Sequence, residues 1–225
     1  MILPIIVANF KANLNLKESA MWFSRAVPHL KAETHVEIVV CPTFLSLETA
    51  SSALVGTQLY LGAQSVSPFP HGKYTGEVPA DLLRGVVRFA IVGHSERRKY
   101  FGEDNHLVAE KVKRLEENKI KPIVCVENTD DASELSNLLK TRDLIVAYEP
   151  TFAIGTGTPD TPENAQKVAE GIKLYFGENT PVLYGGSVTA ENIQTFLAQK
   201  SIGGALVGGA SLNPEDFVAL VRAAS

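Results

Sequence analysis

Three side chains that could carry out proton transfer follow short apolar runs in this sequence. They are Lys11, His94 and Glu149. A glutamate in an apolar setting can serve as a general base, because desolvation is expected to raise its pKa towards neutrality. A histidine at the start of a helix can remain neutral and donate a hydrogen bond to a carbonyl oxygen, and a lysine can stabilise developing negative charge. Together they suit removal of a proton next to a carbonyl group.

Each of these residues also has an ordinary structural interpretation. Glu149 could be a salt-bridged carboxylate at a strand end, His94 a structural histidine and Lys11 a solvated surface lysine. A metal role for His94 is weakly supported, because the sequence has no HExxH motif and no PCxxC motif downstream of the His-x-Glu pair. The residues Arg97, Arg98 and Lys99 are expected to form ion pairs or an interface.

Two glycine-rich turns suggest a phosphate site. Gly185-Gly186-Ser187 and the segment 208–211 each follow an apolar run and precede a segment with a helical pattern. Paired glycines expose backbone amides to an anion, and the loops after the last two strands of a parallel barrel commonly bind phosphate. Either turn alone could be a simple tight turn. Their occurrence after two consecutive strands favours phosphate.

The elements that must position these residues alternate between strand and helix. Eight continuous apolar runs, typical of parallel strands covered on both faces, occupy residues 5–9, 36–41, 59–63, 89–92, 122–126, 144–148, 181–184 and 204–207. The average unit of about 28 residues fits one strand, one helix and two loops. This predicts an α/β protein of the (β/α)8 barrel class. A doubly wound open sheet is the alternative, but residues 8–11 contain no glycine-rich phosphate turn.

Helix starts are marked by capping signals. Asn15 and Glu18 form a capping-box-like pair ahead of an apolar stripe, and three further starts are expected at Thr161-Pro162, Thr189 and Asn213-Pro214. The stripe predicted for the first helix is Leu16, Ala20, Phe23, Val27 and Leu30. For the helix after Thr161 it is Ala165, Val168, Ile172 and Tyr175.

Composition excludes several classes of protein. The chain has 225 residues and a net charge of −4 without long runs of one sign, so no nucleic-acid partner is expected. No apolar stretch approaches the roughly 18 residues of a membrane span. Cys41 and Cys125 lie far apart, which favours reduced thiols in a cytoplasmic protein. We expect one soluble domain over residues 1–225.

Five ordered segments carry a resemblance to a known family: GAQSVSPFPHGKYTGEV at 62–78, VGHSERRKYFGE at 92–103, AYEPTFAIGTGT at 147–158, YGGSV at 184–188 and LVGGASL at 206–212. They resemble the triosephosphate isomerase family, and the match covers nearly the whole chain. The resemblance implies an aldose–ketose isomerase that interconverts dihydroxyacetone phosphate and D-glyceraldehyde 3-phosphate in glycolysis and gluconeogenesis. It implies no metal and no organic cofactor.

The resemblance also implies roles for individual residues. Lys11, His94 and Glu149 would be catalytic and Asn9 would contact substrate, while Glu96 would support Lys11 and Ser95 would hold Glu149 before closure. The substrate phosphate would lie on the backbone amides of Gly155, Ser187, Gly208 and Gly209. A lid would comprise Pro150, Thr151, Phe152, Ala153, Ile154, Gly155, Thr156, Gly157 and Thr158. Tyr184 and Ser187 would latch it.

Departures from the family pattern keep alternatives open. Phe10 and Phe152 stand where tryptophans are usual, Thr158 where lysine is common and Ala8 where glycine is usual. The segment 127–143 is shorter than usual, as in short archaeal members, which puts the local barrel wall in doubt. The alternatives are a different phosphosugar isomerase with another base, and a catalytically silent barrel acting as an interaction protein.

A long segment after the third strand predicts an assembly. Residues 65–77 are rich in proline, glycine and aromatic residues, and these would form an exposed apolar patch in a monomer. We therefore expect at least a homodimer, with Tyr74 in the interface. The resemblance implies that Thr75 reaches the neighbouring site near Asn9 and Lys11. A loop folded over its own barrel is the alternative, and dimer and tetramer are both compatible with the sequence.

Overall fold

Eight short parallel strands close into a barrel in a computed structural model that describes residues 3–153 and 157–225. Each strand pairs with the next, and the first pairs with the eighth, so the open-sheet alternative is wrong. The predicted and observed strand ends agree to within one residue. The strands are β1 (Ile5–Asn9), β2 (Glu37–Cys41), β3 (Tyr60–Ala63), β4 (Phe89–Val92), β5 (Lys121–Val126), β6 (Ile145–Tyr148), β7 (Val182–Tyr184) and β8 (Gly204–Val207).

Helices connect the strands on the outside of the barrel. They are α1 (Leu16–Leu30), α2 (Leu47–Ala53), α3 (Ala80–Leu83), α4 (Ser95–Phe101), α5 (Asn105–Glu117), α6 (Thr129–Leu138), α7 (Pro162–Phe176), α8 (Ile193–Leu197) and α9 (Pro214–Ala224). Two single 3₁₀ turns occupy Phe44–Ser46 and Gly209–Ser211. Within the described residues, no helix has the length and apolar character needed to cross a membrane.

The apolar core has two layers. One fills the barrel interior with side chains such as Ile91, Ile123 and Leu183, together with the free thiols Cys41 and Cys125. The other lies between the barrel and its helices. Burial of each large aliphatic side chain contributes about 1.5–3 kcal/mol. The two layers therefore give the strand ends a rigid frame from which functional side chains can project.

The inward face of α1 differs from the predicted stripe. Asn15 and Glu18 form the predicted capping box, but Leu16 is 52% exposed and Ala20 is also exposed. The buried positions are Ser19, Trp22, Phe23, Ala26, Val27 and Leu30. The aromatic cluster explains the difference, because Trp22 and Phe23 both pack on Phe10, with Phe10–Trp22 ring centroids 4.9 Å apart. The stripe predicted for α7 is also partly wrong, since Tyr175 is 40% exposed and Ala169 and Phe176 are buried instead.

Capping at the later helices matches the sequence in two cases of three. The side chains of Thr161 and Asn213 accept hydrogen bonds from the first turns of α7 and α9. Thr189 caps no helix, because α8 begins only at Ile193. The backbone amide of Thr189 instead donates to the side chain of Asn192, which closes a turn before α8.

The contracted segment 127–143 still forms a complete wall, since β5 pairs with both β4 and β6. The ten-residue helix α6 is capped by the side chain of Asn128. Arg142 then donates hydrogen bonds to the carbonyl oxygens of Ser136 and Leu139, and its guanidinium lies 5.7 Å from the Phe176 ring centroid. Arg142 therefore links the end of α6 to Phe176 on α7.

Candidate active site

The carboxyl ends of β1, β4 and β6 bring the predicted catalytic residues to one cavity. Its volume is about 280 Å³, a size suited to a small ligand. The residues that line it are Asn9, Lys11, His94, Glu149, Gly157, Gly185, Gly186, Ser187, Val188, Thr189, Asn192, Leu206, Gly208, Gly209 and Ala210. Ser95 and Glu96 are not among the lining residues. Ser95 contacts Glu149, and Glu96 contacts Lys11.

Glu149 is nearly inaccessible to solvent but is surrounded by hydrogen-bond donors. It is 1% exposed, its Oε1 lies 3.0 Å from Nε2 of His94, and its Oε2 accepts a 2.7 Å hydrogen bond from the backbone amide of Ser95. Burial raises the pKa of Glu149, but His94 and the hydrogen bonds from His94 and Ser95 lower it more, so the pKa lies below its usual value. The expectation of a raised pKa is therefore wrong for this arrangement, because donors from the end of β4 replace the apolar surroundings.

His94 occupies the N-cap position of α4, at the end of β4. Its Nδ1 accepts a 3.2 Å hydrogen bond from the backbone amide of Glu96. Accepting this bond requires a lone pair on Nδ1, so a ring proton is assigned to Nε2. His94 then directs an N–H donor at Glu149 and the cavity.

Lys11 is held at the cavity mouth by its own strained backbone and by neighbouring side chains. Its φ of 52° lies in the left-handed region, a costly conformation for a non-glycine residue that is common at functional sites. Its backbone amide donates to Oδ1 of Asn9 at 3.1 Å, and Gln64 donates to its carbonyl oxygen at 2.9 Å. The Nζ atom lies 2.6 Å from Oε1 of Glu96. These contacts fix the direction of the ammonium group.

The two glycine-rich turns closely approach the side chains that are predicted to be catalytic. A Cβ atom at Gly185 would lie 3.0 Å from Cγ of Glu149, and one at Gly208 would lie 3.1 Å from Cε of Lys11. The predicted turn 208–211 contains the 3₁₀ turn Gly209–Ser211, and α9 begins shortly after it at Pro214. The turn after β7 does not precede a helix directly, since α8 begins several residues later. Only the second turn combines glycine with an adjacent helical start.

The predicted lid is described at both of its ends. The Ser187 hydroxyl donates to the carbonyl oxygen of Ala153 at 2.8 Å, and Tyr184 Oη accepts a 2.7 Å hydrogen bond from the backbone amide of Asp160. Ser187 therefore contacts the predicted lid itself, at Ala153, and Tyr184 contacts Asp160, just beyond its end. The predicted lid residues Ile154, Gly155 and Thr156 lie outside the described residues. The exposed ring of Phe152 lies in the preceding turn, with 64% of its surface accessible.

The segment 65–77 protrudes from the barrel. Residues 71–77, which include Tyr74 and Thr75, are all exposed. The rings of Phe69 and Tyr74 stack with their centroids 4.4 Å apart while remaining 45% and 41% exposed. Hydrogen bonds from Ser67 to Val78 and from Arg114 to Pro68 hold the base of the segment. The segment therefore has an anchored base and an exposed aromatic tip.

Further residues that the sequence pattern does not mark as functional line or support the site. Asn192 lines the cavity and donates from Nδ2 to the carbonyl oxygen of Ser187, and Val188 and Leu206 supply apolar wall. Gln64, visible as a polar residue at the end of β3, bridges the carbonyl oxygens of Lys11 and Cys41. Its position at a strand end was the available signal for a supporting role. Across the described residues, no group of three or more His, Cys, Asp and Glu side chains could hold a metal ion.

Comparison with known proteins gives this geometry a family. A model of the family described as triosephosphate isomerase matches residues 4–224. The chain belongs to the triosephosphate isomerase family. It is 38% identical to the triosephosphate isomerase of Symbiobacterium thermophilum, with 99% of this chain and 97% of that protein covered. It is 39% identical to that of Thermus thermophilus over 98% of both, and 36% identical to that of Aquifex aeolicus over 96% and 98%.

Membership of the triosephosphate isomerase family makes this chain an isomerase and agrees with its closed eight-stranded barrel. The alignment with the Symbiobacterium protein spans 248 positions, more than the 225 residues of this chain. The relative therefore contains residues that this chain lacks. This difference in length accords with the contracted segment 127–143. In this member of the triosephosphate isomerase family, β5 still pairs with both β4 and β6.

Proposed function

We propose that this isomerase interconverts dihydroxyacetone phosphate and D-glyceraldehyde 3-phosphate through an enediol or enediolate intermediate, in glycolysis and gluconeogenesis. The observation that carries the proposal is the convergence of Glu149, His94 and Lys11 on one small cavity. A proton next to a carbonyl is weakly acidic, so the reaction needs a base at carbon, a donor at oxygen and nearby positive charge. These three residues supply all three requirements from side chains alone.

In this proposal Glu149 removes the proton from one carbon and returns it to the neighbouring carbon. Its pKa below the usual value leaves it ionised in the free enzyme, ready to act as a base. When substrate enters, the carboxylate exchanges the Ser95 amide for the substrate carbon. Loss of that hydrogen bond raises the pKa of Glu149 towards the range in which it can also return the proton.

His94 and Lys11 act on the oxygen side of the same substrate. The Nε2–H of His94 donates to the carbonyl oxygen and then to the enediolate, and the Lys11 ammonium stabilises the added negative charge. Asn9 positions Lys11 through the 3.1 Å hydrogen bond and contacts substrate from the cavity wall. Glu96 holds the Lys11 ammonium at 2.6 Å in the free enzyme. The charge is thus placed before substrate arrives.

The phosphate group binds on the other side of the cavity in this proposal. The backbone amides of Ser187, Gly208 and Gly209 are its ligands, and all three residues line the cavity. The resemblance adds the amide of Gly155, which lies outside the described residues. The lid of residues 150–158 closes over the bound substrate, with Tyr184 and Ser187 as latches. Closure excludes water from the enediolate.

We further propose that the chain forms one domain and acts as at least a homodimer in the cytoplasm. The exposed Phe69–Tyr74 pair supports burial against a second copy, because removing these aromatic rings from water lowers the free energy. In such a dimer Thr75 reaches the neighbouring site near Asn9 and Lys11.

A coupled isomerase assay tests the proposed function. Purified protein is given dihydroxyacetone phosphate, and the D-glyceraldehyde 3-phosphate formed is oxidised by a dehydrogenase that reports through its nicotinamide cofactor. We expect turnover in this direction and in reverse, with chelator present throughout. Absence of turnover with triose phosphate, in protein whose fold and phosphate binding are intact, would contradict the proposal.

A further inference from the structure

A buried carboxylate outside the reacting groups joins the end of the lid to two strands. Asp160 lies between the lid and α7 and is 8% exposed. Its Oδ2 accepts a 3.1 Å hydrogen bond from the hydroxyl of Tyr148, and its backbone amide donates to Tyr184 Oη at 2.7 Å. One residue therefore contacts both β6 and β7.

The carboxylate of Asp160 also accepts hydrogen bonds from the start of α7. The backbone amide of Thr161 donates to Oδ1 at 2.8 Å, and Nδ2 of Asn164 donates to Oδ2 at 2.7 Å. The N-terminus of a 15-residue helix favours a negative charge at this position. Both carboxyl oxygens of Asp160 thus accept hydrogen bonds, which offsets the cost of burying this polar group.

Each of the two tyrosines is adjacent in sequence to a residue of the site. Tyr148 immediately precedes Glu149 on the chain, and Tyr184 immediately precedes the Gly185-Gly186 turn. Burial raises the pKa of Tyr148 above its usual value and that of Tyr184 to about 12, so both hydroxyls stay protonated. Tyr184 is further fixed by stacking on Phe196, with ring centroids 4.0 Å apart. A rigid path therefore connects Asp160 to the base and to the phosphate turn.

We propose that Asp160 is a positioning residue for the isomerisation, tying the end of the lid to the strand that carries Glu149 through the Tyr148 hydroxyl. The inference rests on the proposed function. Asp160 does not touch substrate. Its carboxylate fixes where the chain re-enters the barrel, so that the backbone amide of the same residue meets Tyr184 and the lid reaches its closed position.

A lid that closes poorly has a chemical signature. When the enediolate is exposed, its C–O bond to phosphate breaks and the electron pair leaves with the phosphate. The remaining enol takes up a proton at carbon and becomes methylglyoxal, so the atoms of the triose phosphate are conserved in methylglyoxal and inorganic phosphate. Closure suppresses this branch. The ratio of methylglyoxal to isomerised product therefore reports the link at Asp160.

The experiment compares Asp160→Ala, Tyr148→Phe and the double variant with the unaltered protein. Tyr148→Phe removes one hydroxyl and keeps the ring, so its fold is expected to survive. Each single variant should raise the methylglyoxal ratio about threefold or more, and the double variant should match Asp160→Ala, because both changes break one link. Asp160→Asn, which retains an oxygen acceptor, should restore part of the lost closure.

Thr161→Ala is the matched control. It removes the side-chain cap of α7 next to Asp160 and leaves the carboxylate contacts in place, so it should lower the melting temperature without changing the product ratio. An unchanged ratio in Tyr148→Phe and Asp160→Ala, or an equal rise in Thr161→Ala, would overturn the inference. An inactive unaltered protein would instead indicate failure of the proposed function.

Discussion

Oε1 of Glu149 lies 3.0 Å from Nε2 of His94, although the two residues come from strand ends 55 positions apart in the sequence. In the free protein, the proposed base and the proposed oxygen-side donor are therefore partners of each other. A substrate that enters between them gives each a new partner, carbon for the carboxylate and oxygen for the imidazole. This exchange relates the resting geometry to the proposed reaction.

The acid titration of Glu149 is the first consequence of this contact. The pKa of Glu149 in the folded protein should lie below the usual value of 4.5, because the attraction of His94 and the hydrogen bonds from His94 and Ser95 outweigh burial. The contact then contributes stability that is present above about pH 4.5 and is lost as the pH falls through the folded-state pKa. Carbon-13 NMR of the side-chain carboxyl, assigned with the spectrum of Glu149→Gln, measures the titration.

Replacement of His94 by Ala should move that titration upwards, since burial is then opposed only by Ser95. A Glu149 carboxyl that titrates above 4.5 in the unaltered free protein, or one unaffected by His94→Ala, would contradict the assigned causes.

Lys11→Met should weaken both substrate binding and turnover. In the proposed reaction, the Lys11 ammonium faces the anionic substrate before proton transfer and the enediolate during it. Loss of a charge-assisted hydrogen bond of roughly 1.5–3 kcal/mol corresponds to a fall of about 10- to 150-fold in kcat/KM. Steady-state kinetics and titration with a phosphate ligand measure the two effects. Lys17→Met, which removes an exposed charge on α1, is the control and should leave both unchanged. Intact ligand binding in Lys11→Met would contradict the role.

Deletion of residues 154–157 should raise methylglyoxal formation relative to isomerisation, because an open site exposes the enediolate to water. Both products are measured from one reaction mixture, with the melting temperature as the check on folding. A product ratio equal to that of the full-length chain would argue against a gating lid.

Tyr74→Asp combined with Thr75→Asp should dissociate the proposed dimer, because the interface would bury unpaired charge. Light scattering across a dilution series measures the molar mass, and activity should fall in step with the dimer fraction. The control pair Leu174→Asp and Tyr175→Asp adds the same charge at similarly exposed apolar positions on α7. A fully active monomer, or equal dissociation by the control pair, would be inconsistent with an interface at residues 65–77.

The barrel could be predicted from local patterns because its strands are buried on both faces and its helix starts carry capping side chains. The apolar runs gave every strand end to within one residue, and Asn15, Thr161 and Asn213 marked helix starts correctly. The inward face of α1 was not predictable in detail. It depends on Phe10 packing against Trp22, a contact between separate elements.

The site was predictable as a set of residues but not as an electrostatic environment. Strand-end positions and the family resemblance brought together Lys11, His94 and Glu149. The lowered pKa of Glu149 arises from His94 and Ser95 at the end of another strand, which no local pattern encodes. Asp160 was likewise unrecognised, because its partners lie 12 and 24 residues away on β6 and β7.

Glu149→Gln shows whether Glu149 is the base of the isomerisation. The coupled isomerase assay should show turnover reduced by roughly 10²- to 10⁴-fold or more, while affinity for a phosphate ligand stays within a few-fold, because the lost base acts on carbon and not on phosphate. Parallel ligand titration shows that the cavity has survived the substitution. Near-normal turnover in Glu149→Gln would contradict the account, since the base would then have to be another group.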